Sequence, residues 1–431
     1  MKTKKLSIIW GLHTIFCLIL VAYSGDNWYL YSISTLISCL FTLMYLSPNN
    51  LAYYICIFII LQFSFKPFIL TLDSTYGTPY MDSTVITLKS YWDEVLSFQS
   101  ISFGFFLLMY SIFRDKNVGN INKKDSLIKD LPPLKYIYII YIFIWIFRLL
   151  MHYFNIENSI ILRIANYTPI LISSLIVYII VSNKLKSFST IISVLLFLML
   201  ELTWSILIEA KLPLMLSALS VFYAISFLEI KIKKRYLIVS IIAILTFIGI
   251  IQIIRNPSVY GEMNVIQAGL VNLIGRSDNF NTAVRIFYYT PNIIPYWGMD
   301  MLKVLAQTTI LPVPFPGKAD IYVGSVVSNL YYGYTEGTVF KGLGLATSWY
   351  VTFGSIYGTL VMGIFGVILA KLENILTTKS NWLKFLIQIS FIVAFANIEQ
   401  SYFDIINTFM KNVILSICFY ISFKIIFSKR E

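Results

Sequence analysis

The sequence predicts an all-α, polytopic integral membrane protein of about 12 transmembrane helices, with one large outer loop between the ninth and the tenth. Three observations predict it. Apolar residues make up 58% of the 431 positions and charged residues only 13%, where a soluble domain carries roughly 25% charged. Apolar stretches close to the ~20 residues needed to cross a bilayer recur from one end of the chain to the other. The basic residues are also distributed unevenly about those stretches.

In order, the stretches are Leu6–Tyr23, Trp28–Leu46, Leu51–Leu70, Val95–Phe113, Tyr136–Phe154, Ile164–Val181, Phe188–Ile206, Leu212–Phe227, Tyr236–Ile254, Trp349–Leu369, Trp382–Ala396 and Phe409–Phe427. They leave no room for a separate soluble domain, so residues 1–431 read as a single membrane domain. The first stretch lacks a small-residue cleavage site and reads as one helix among many.

Placing the start of the chain inside puts Lys2 to Lys5, Arg114 to Lys135, Lys184 to Lys186, Lys231 to Arg235, Lys371 to Lys384 and the tail from Lys424 on the same side. These segments hold 21 of the 33 basic residues but, counting Glu229 beside Lys231, only 6 of the 21 acidic ones. Inner loops rich in Lys and Arg fix orientation, so both termini are expected in the cytoplasm of a multi-pass inner-membrane protein. The net charge of +12 is then a matter of topology and anionic lipid, and no nucleic-acid partner is implied.

Residues 255–341 form the outer loop, long, mixed in charge and rich in Tyr, Asn, Gly and Pro. A connection of this length is functional or disordered, and its apolar content opposes disorder. Met263, Ile266, Leu270, Leu273 and Ile274 recur at helical spacing, which predicts an amphipathic surface helix over Glu262 to Ile274. The following run, Leu273 to Arg285, places Arg276 and Arg285 among Asp278, Asn279 and Asn281. If it is helical, Asp278 and Arg285 share a face with Thr282 between them. Planar, permanently charged guanidiniums suit a pyrophosphate; the plainer alternative is pairing with Asp278 or with lipid headgroups. Pro312, Pro314 and Pro316 stiffen Leu311 to Asp320, either as a strut presenting Lys318 or as a surface loop.

Other charges stand at helix ends or inside apolar runs. Arg148, Glu209 and Lys211 are expected to face a cavity, Lys66 and Lys411 to snorkel, Arg255 to do either, and Glu201 to make an interhelical hydrogen bond or play a role. Thr71 to Glu94, with Asp73, Asp82, Asp93 and Glu94, reads as an outer lid or rim, and Arg114 to Lys135 as a solvated linker. Cys17, Cys39, Cys56 and Cys418 all fall inside apolar runs and read as buried packing residues.

His13 and His152 are the only histidines, so no His-rich metal centre and no Ser-His-Asp constellation is predicted. Walker A and Rossmann glycine patterns are absent. No cofactor is expected, and any donor must arrive already activated and lipid-borne.

With these features the chain resembles the bacterial O-antigen and polysaccharide repeat-unit polymerases, the Wzy family. The resemblance covers most of the chain: a dozen spans, cytoplasmic termini and one large outer loop in the C-terminal half. It is carried most specifically by Glu209-Ala210-Lys211, by Pro314 to Ala319, and by Tyr350, Phe353, Gly354 and Gly358, which look like the family's aromatic-Phe-Gly-x-x-Gly helix entry. Ser348 stands where many relatives carry an acid, and the turn from Glu399 to Asp404 lacks an arginine some relatives have.

The resemblance implies a GT-C-like membrane glycosyltransferase, independent of metal, that polymerises undecaprenyl-pyrophosphate-linked oligosaccharide repeat units into a surface polysaccharide. Its partners would be that lipid-linked donor, membrane lipids and a chain-length regulator protein. Arg276, Arg285 and Asp278 would be catalytic, the arginines on the donor pyrophosphate. Lys211, Glu209, Arg255, Lys318, Arg148 and Tyr350 would bind substrate. Asp278, Asp300 and Glu336 remain alternative bases for the acceptor hydroxyl. The competing functions are a lipid-linked oligosaccharide flippase or transporter, an O-antigen ligase-like enzyme, and a lipid-phosphate-sugar glycosyltransferase. A transporter would concentrate polarity in broken spans at the midplane, and a ligase would place a histidine in the outer loop; neither pattern is present in the sequence.

Overall fold

The structure, a computed structural model, describes residues 2–23, 25–46, 48, 50–73, 83–115, 134–154, 159–182, 187–208, 212–227, 234–255, 257–275, 278–299, 323–334, 342–377, 382–396 and 398–427, some helical stretches by their backbone alone. Among the described residues the regular elements are all helical. They are α1 (Lys2–Ala22), α2 (Trp28–Tyr45), α3 (Leu51–Ile59), α4 (Lys66–Asp73), α5 (Ser83–Thr87), α6 (Trp92–Phe113), α7 (Leu134–Tyr153), α8 (Ser159–Ser182), α9 (Ser187–Leu207) and α10 (Leu212–Phe227). There follow α11 (Lys234–Arg255), α12 (Pro257–Tyr260), α13 (Val265–Gly275), α14 (Asp278–Tyr289), α15 (Val323–Tyr332), α16 (Leu345–Thr377), α17 (Trp382–Phe395) and α18 (Tyr402–Phe427).

Every apolar stretch read from the sequence is helical. Seven helices among the described residues are long and apolar enough to cross a membrane: those within α1, α2, α3–α4, α6, α7, α16 and α18. The other five stretches appear as shorter apolar helices within α8, α9, α10, α11 and α17.

The chain divides into two compact units, one of residues 1–117, 273–374 and 394–410, the other of residues 118–272, 375–393 and 411–431. The division falls inside the outer loop, giving its first part to the second unit and residues from Leu273 on to the first.

In the first unit α1 turns Ile8, Leu12, Ile15 and Ile19 outward while Trp10, His13, Thr14 and Cys17 are buried. That inside-out arrangement fits a helix whose solvent is hydrocarbon. A seam of hydrogen bonds joins α1, α2 and α6: Trp10 Nε1 to Thr42 Oγ1 at 3.0 Å, His13 Nδ1 with Ser34 Oγ at 2.8 Å, His13 Nε2 to the Ser100 carbonyl at 3.1 Å and Thr35 with Ser100 at 2.9 Å. A carbonyl only accepts, so the network assigns the proton to Nε2. Each such bond contributes about 0.6 kcal/mol in a membrane protein.

Small residues let backbones approach. A Cβ on Gly366 would stand 2.4 Å from the Phe106 carbonyl oxygen, and one on Gly363 would stand 2.1 Å from the Phe105 ring. α16 therefore lies directly against α6, with Ser102 and Thr359 bonded at 2.8 Å. Beyond that contact the buried Glu373 carboxylate meets Arg114 and the Tyr110 hydroxyl and accepts the Leu51 amide at 3.3 Å. The start of α3 and the ends of α6 and α16 are thereby tied at one point.

In the second unit a Cβ on Gly249 would meet the Val265 carbonyl at 1.7 Å and one on Gly269 the Leu245 carbonyl at 2.1 Å. This corrects the expected surface helix over Glu262 to Ile274. A helix does form, but it docks on α11 through Val265 and Gly269, with Ala268 buried and Ile266 facing outward.

Also in this unit, Arg148 and Glu201 are fully buried and paired at 2.7 Å. Arg148 Nε donates to the Ala165 carbonyl at 2.6 Å, Tyr141 donates to Glu201 at 3.0 Å, and the guanidinium lies 5.3 Å from the Trp204 ring centre. Arg148 is thus enclosed by partners and has no exposed surface to offer a substrate. Charges sealed in hydrocarbon need such complete pairing. Glu201 has the interhelical bond expected of it. Cys17, Cys39 and Cys56 are buried as expected, whereas Cys418 is exposed on α18.

Candidate functional site

Among the described residues of the outer loop, α14 is the part most enclosed by protein. Residues Asn279 to Val284 are all buried, as are Ile286 and Phe287. Aromatic side chains fix it in the first unit: Phe280 meets Trp92 edge-on at 5.5 Å, Tyr288 meets Tyr91 at 5.5 Å, and Phe287 stacks on Tyr350 at 3.7 Å. Such contacts add roughly 0.5–1.5 kcal/mol each beyond burial. The helix is consequently held within protein.

Three polar residues, Asn279, Thr282 and Arg285, recur at three-residue intervals on α14, each next to the following one. Thr282 Oγ1 bonds the Tyr332 hydroxyl of α15 at 3.0 Å, and the half-buried Arg285 guanidinium lies over the same Tyr332 ring, 4.4 Å from its centre. Thr282 and Arg285 share a face, as helical spacing required. A cation on an aromatic face in a partly desolvated place is held as a charge and attracts anions more strongly than it would in water.

Toward the start of α14, Asn279 Nδ2 donates to Gln62 Oε1 at 3.0 Å, and Gln62 Nε2 donates in turn to Glu399 Oε1. Gln62 lies in a π turn, Ile60–Ser64, with Phe65 N bonded to the Ile60 carbonyl at 3.1 Å. π turns inside helices occur frequently at functional sites. Over these groups passes the segment before α16: Gly344 N donates to the Glu399 carbonyl at 3.1 Å and Leu345 N to the Ile398 carbonyl at 2.9 Å. A Cβ on Gly342 would stand 2.8 Å from Asn279 Oδ1, and Gly344 has φ +71°. Glycine at both positions lets the backbone close over the amides.

α16 is broken at Gly354, with φ 78° and ψ −176°. The break turns the Val351 carbonyl away from its own helix, and the Trp297 amide of the outer loop takes it at 2.9 Å. The chain doubles back there: a Cβ on Gly358 would lie 3.1 Å from the Trp349 carbonyl, although nine residues of straight helix span roughly 13 Å. Tyr350 donates to the Thr290 carbonyl at 3.0 Å, and Trp349 stacks on Tyr402 at 3.6 Å. The Tyr350-Phe353-Gly354-Gly358 pattern therefore has a physical content: it marks the broken helix that fastens the loop.

The residues named from the sequence distribute unevenly. Arg285 is on α14, and Asp278 opens that helix seven positions earlier. The side chains of Asp278 and Arg255 lie outside the described residues, as do Arg276, Lys211, Glu209, Lys318, Asp300 and Glu336 altogether. Tyr350 is buried with its hydroxyl on Thr290, so it holds the loop in place and does not face a substrate. Lys66, expected to snorkel, is buried just after the π turn.

Gln62, Tyr332 and Glu399 belong to no motif in the sequence. The one signal for Gln62 is a polar amide in the middle of the third apolar stretch. Glu399 stands in the turn that lacks the arginine some relatives carry. Asp93 and Glu94 border an open cleft of about 480 Å³ with Gly25, Asp26, Lys89 and Ser90. Among the described residues no three His, Cys, Asp or Glu side chains group as metal ligands.

No family model, curated protein or solved structure matches the chain. The functional argument therefore stands on the residues themselves. Chemically, α14 carries a cation suited to a phosphate group and, through Asn279 and Gln62, a carboxylate able to accept a proton.

Proposed function

We propose that the protein is a glycosyltransferase that polymerises lipid-pyrophosphate-linked oligosaccharide repeat units on the outer face of the cytoplasmic membrane. The observation that carries this reading is the half-buried Arg285 held over Tyr332 on a helix enclosed by apolar spans. A lipid-linked pyrophosphate approaches from the bilayer with its diphosphate at the level of such a loop. A guanidinium there binds the donor and stabilises the charge that develops as the pyrophosphate leaves.

The positive-inside pattern supports an outward position for the loop, and the resemblance to the Wzy polymerases supports undecaprenyl pyrophosphate as the lipid. On this reading Arg276 assists Arg285 at the donor pyrophosphate, Glu209, Lys211, Arg255 and Lys318 keep the substrate-binding part that the family resemblance implies, and a chain-length regulator acts beside the polymerase. No metal or nucleotide takes part.

The surface glycan of a strain lacking the protein tests the reading against transport. Single repeat units on the surface, with no ladder above them, are the expected result. Loss of the repeat unit altogether would indicate a flippase, and an unchanged ladder would remove the protein from this chemistry.

A further inference from the structure

We infer that Glu399 is the group that takes the proton from the acceptor sugar hydroxyl during transfer, with Gln62 and Asn279 as its positioning residues. This rests on the polymerase reading above and adds to it the base that reading lacks.

Four segments distant in the chain meet around Glu399, with Gln62 on its carboxylate, Asn279 on Gln62, and the glycine segment on Asn279 and the Glu399 backbone carbonyl. Gln62 comes from the π turn, Asn279 from α14, Gly342 to Gly344 from the segment before α16, and Glu399 from the turn before α18. Gln62 and Asn279 are 2% and 3% exposed, whereas Glu399 is exposed. A surface carboxylate is thus anchored from within by two buried amides.

The bonds have one direction: Asn279 donates to Gln62 at 3.0 Å and Gln62 donates to Glu399. An amide presents its carbonyl to one partner and its NH2 to the other only when flanked in this way. The Glu399 backbone is fixed as well, by the Gly344 amide at 3.1 Å. Gly342 and Gly344 are the residues that permit that approach. The anchoring amide Asn279 and the pyrophosphate-binding Arg285 belong to one helix, six residues or roughly 9 Å apart along its axis. One rigid element therefore relates the group that activates the acceptor to the group that holds the donor.

In the step itself the acceptor hydroxyl oxygen forms a bond to the donor's anomeric carbon. The bond from that carbon to the pyrophosphate oxygen breaks, and its electron pair leaves on the lipid pyrophosphate. The hydroxyl proton passes to Glu399 and from there to water.

The test uses the purified full-length chain in vesicles supplied with a lipid-linked repeat unit. Glu399→Gln preserves shape and the bond from Gln62 but cannot take a proton. Its kcat is expected to fall on the order of 10²- to 10⁴-fold, with KM and thermal midpoint close to wild type. Glu399→Asp recovers part of the loss. Gln62→Ala, which keeps the carboxylate but removes the bond it accepts from Gln62, lowers kcat roughly tenfold, the equivalent of one hydrogen bond in the transition state, with little change in KM.

Wild-type kcat in Glu399→Gln overturns the inference and leaves the polymerase reading standing. Equal inactivity of the Gln and Asp variants with lowered thermal midpoints makes Glu399 structural, and also overturns it. Failure of the wild-type chain to lengthen any glycan removes the polymerase reading and the inference with it.

Discussion

Replacing Arg285 by Ala is expected to remove most long-chain polymer while the protein still reaches the membrane in normal amount. A hydrogen bond to a charged group is worth roughly 1.5–3 kcal/mol. If it acts mainly in the transition state, its loss costs about ten- to a hundredfold in rate. Arg285→Lys keeps the charge but loses the planar two-point donor and recovers only part of the ladder. Tyr332→Leu removes the aromatic face beneath the guanidinium, 4.4 Å away, and the partner of Thr282, so it shortens the ladder less than Arg285→Ala does. If Arg285 served only to hold α14 against α15, Tyr332→Leu would be as harmful as Arg285→Ala and both proteins would be lost from the membrane. The measurement is ladder length against membrane abundance across the three variants.

Gly354→Val is the second change with a large expected effect. With φ 78° and ψ −176°, Gly354 occupies backbone space that costs about 1–3 kcal/mol for other residues. A Cβ there would also press on the Tyr296 ring at 3.2 Å. Straightening α16 would relieve the strain, but it would return the Val351 carbonyl to its own helix and release the Trp297 amide. Either way the joint between loop and helix is lost, so polymer disappears and the thermal midpoint in detergent falls. Gly298 is the control, since it too has positive φ, 61°, yet a Cβ there meets nothing within 4 Å. Gly298→Ala should keep nearly full polymer. Equal effects at Gly354 and Gly298 would show that the broken helix has no special part.

The helices were legible because hydrocarbon-facing helices declare themselves by length and apolarity alone. Leu212 to Phe227 was bounded from the sequence at the residues the structure gives. What periodicity could not supply was pairing. Arg148 and Lys66 read as charges in search of a cavity or of water, and their actual surroundings come from residues tens of positions away or from the interior of the fold. Val265 and Gly269 make the contact with α11, because between membrane helices small residues govern approach.

The site was legible in part for the same reason. The mixture of Arg285 with Asn and Thr drew attention to α14, and the Phe353-Gly354 pair to the break in α16. Gln62 and Glu399 join that site only through folding, across 337 positions of sequence. A π turn leaves no clear mark in a run of apolar residues, so the turn that carries Gln62 was not visible either.

The most direct test of the account is elongation by the purified chain alone. The protein, reconstituted in vesicles with lipid-pyrophosphate-linked repeat units and no nucleotide sugar, is followed by the size of the lipid-linked glycan. The account predicts a ladder of two and more repeat units, accompanied by release of lipid pyrophosphate and unaffected by EDTA. Glycan that remains at one repeat unit under these conditions, or that lengthens only after a divalent ion is restored, would contradict it.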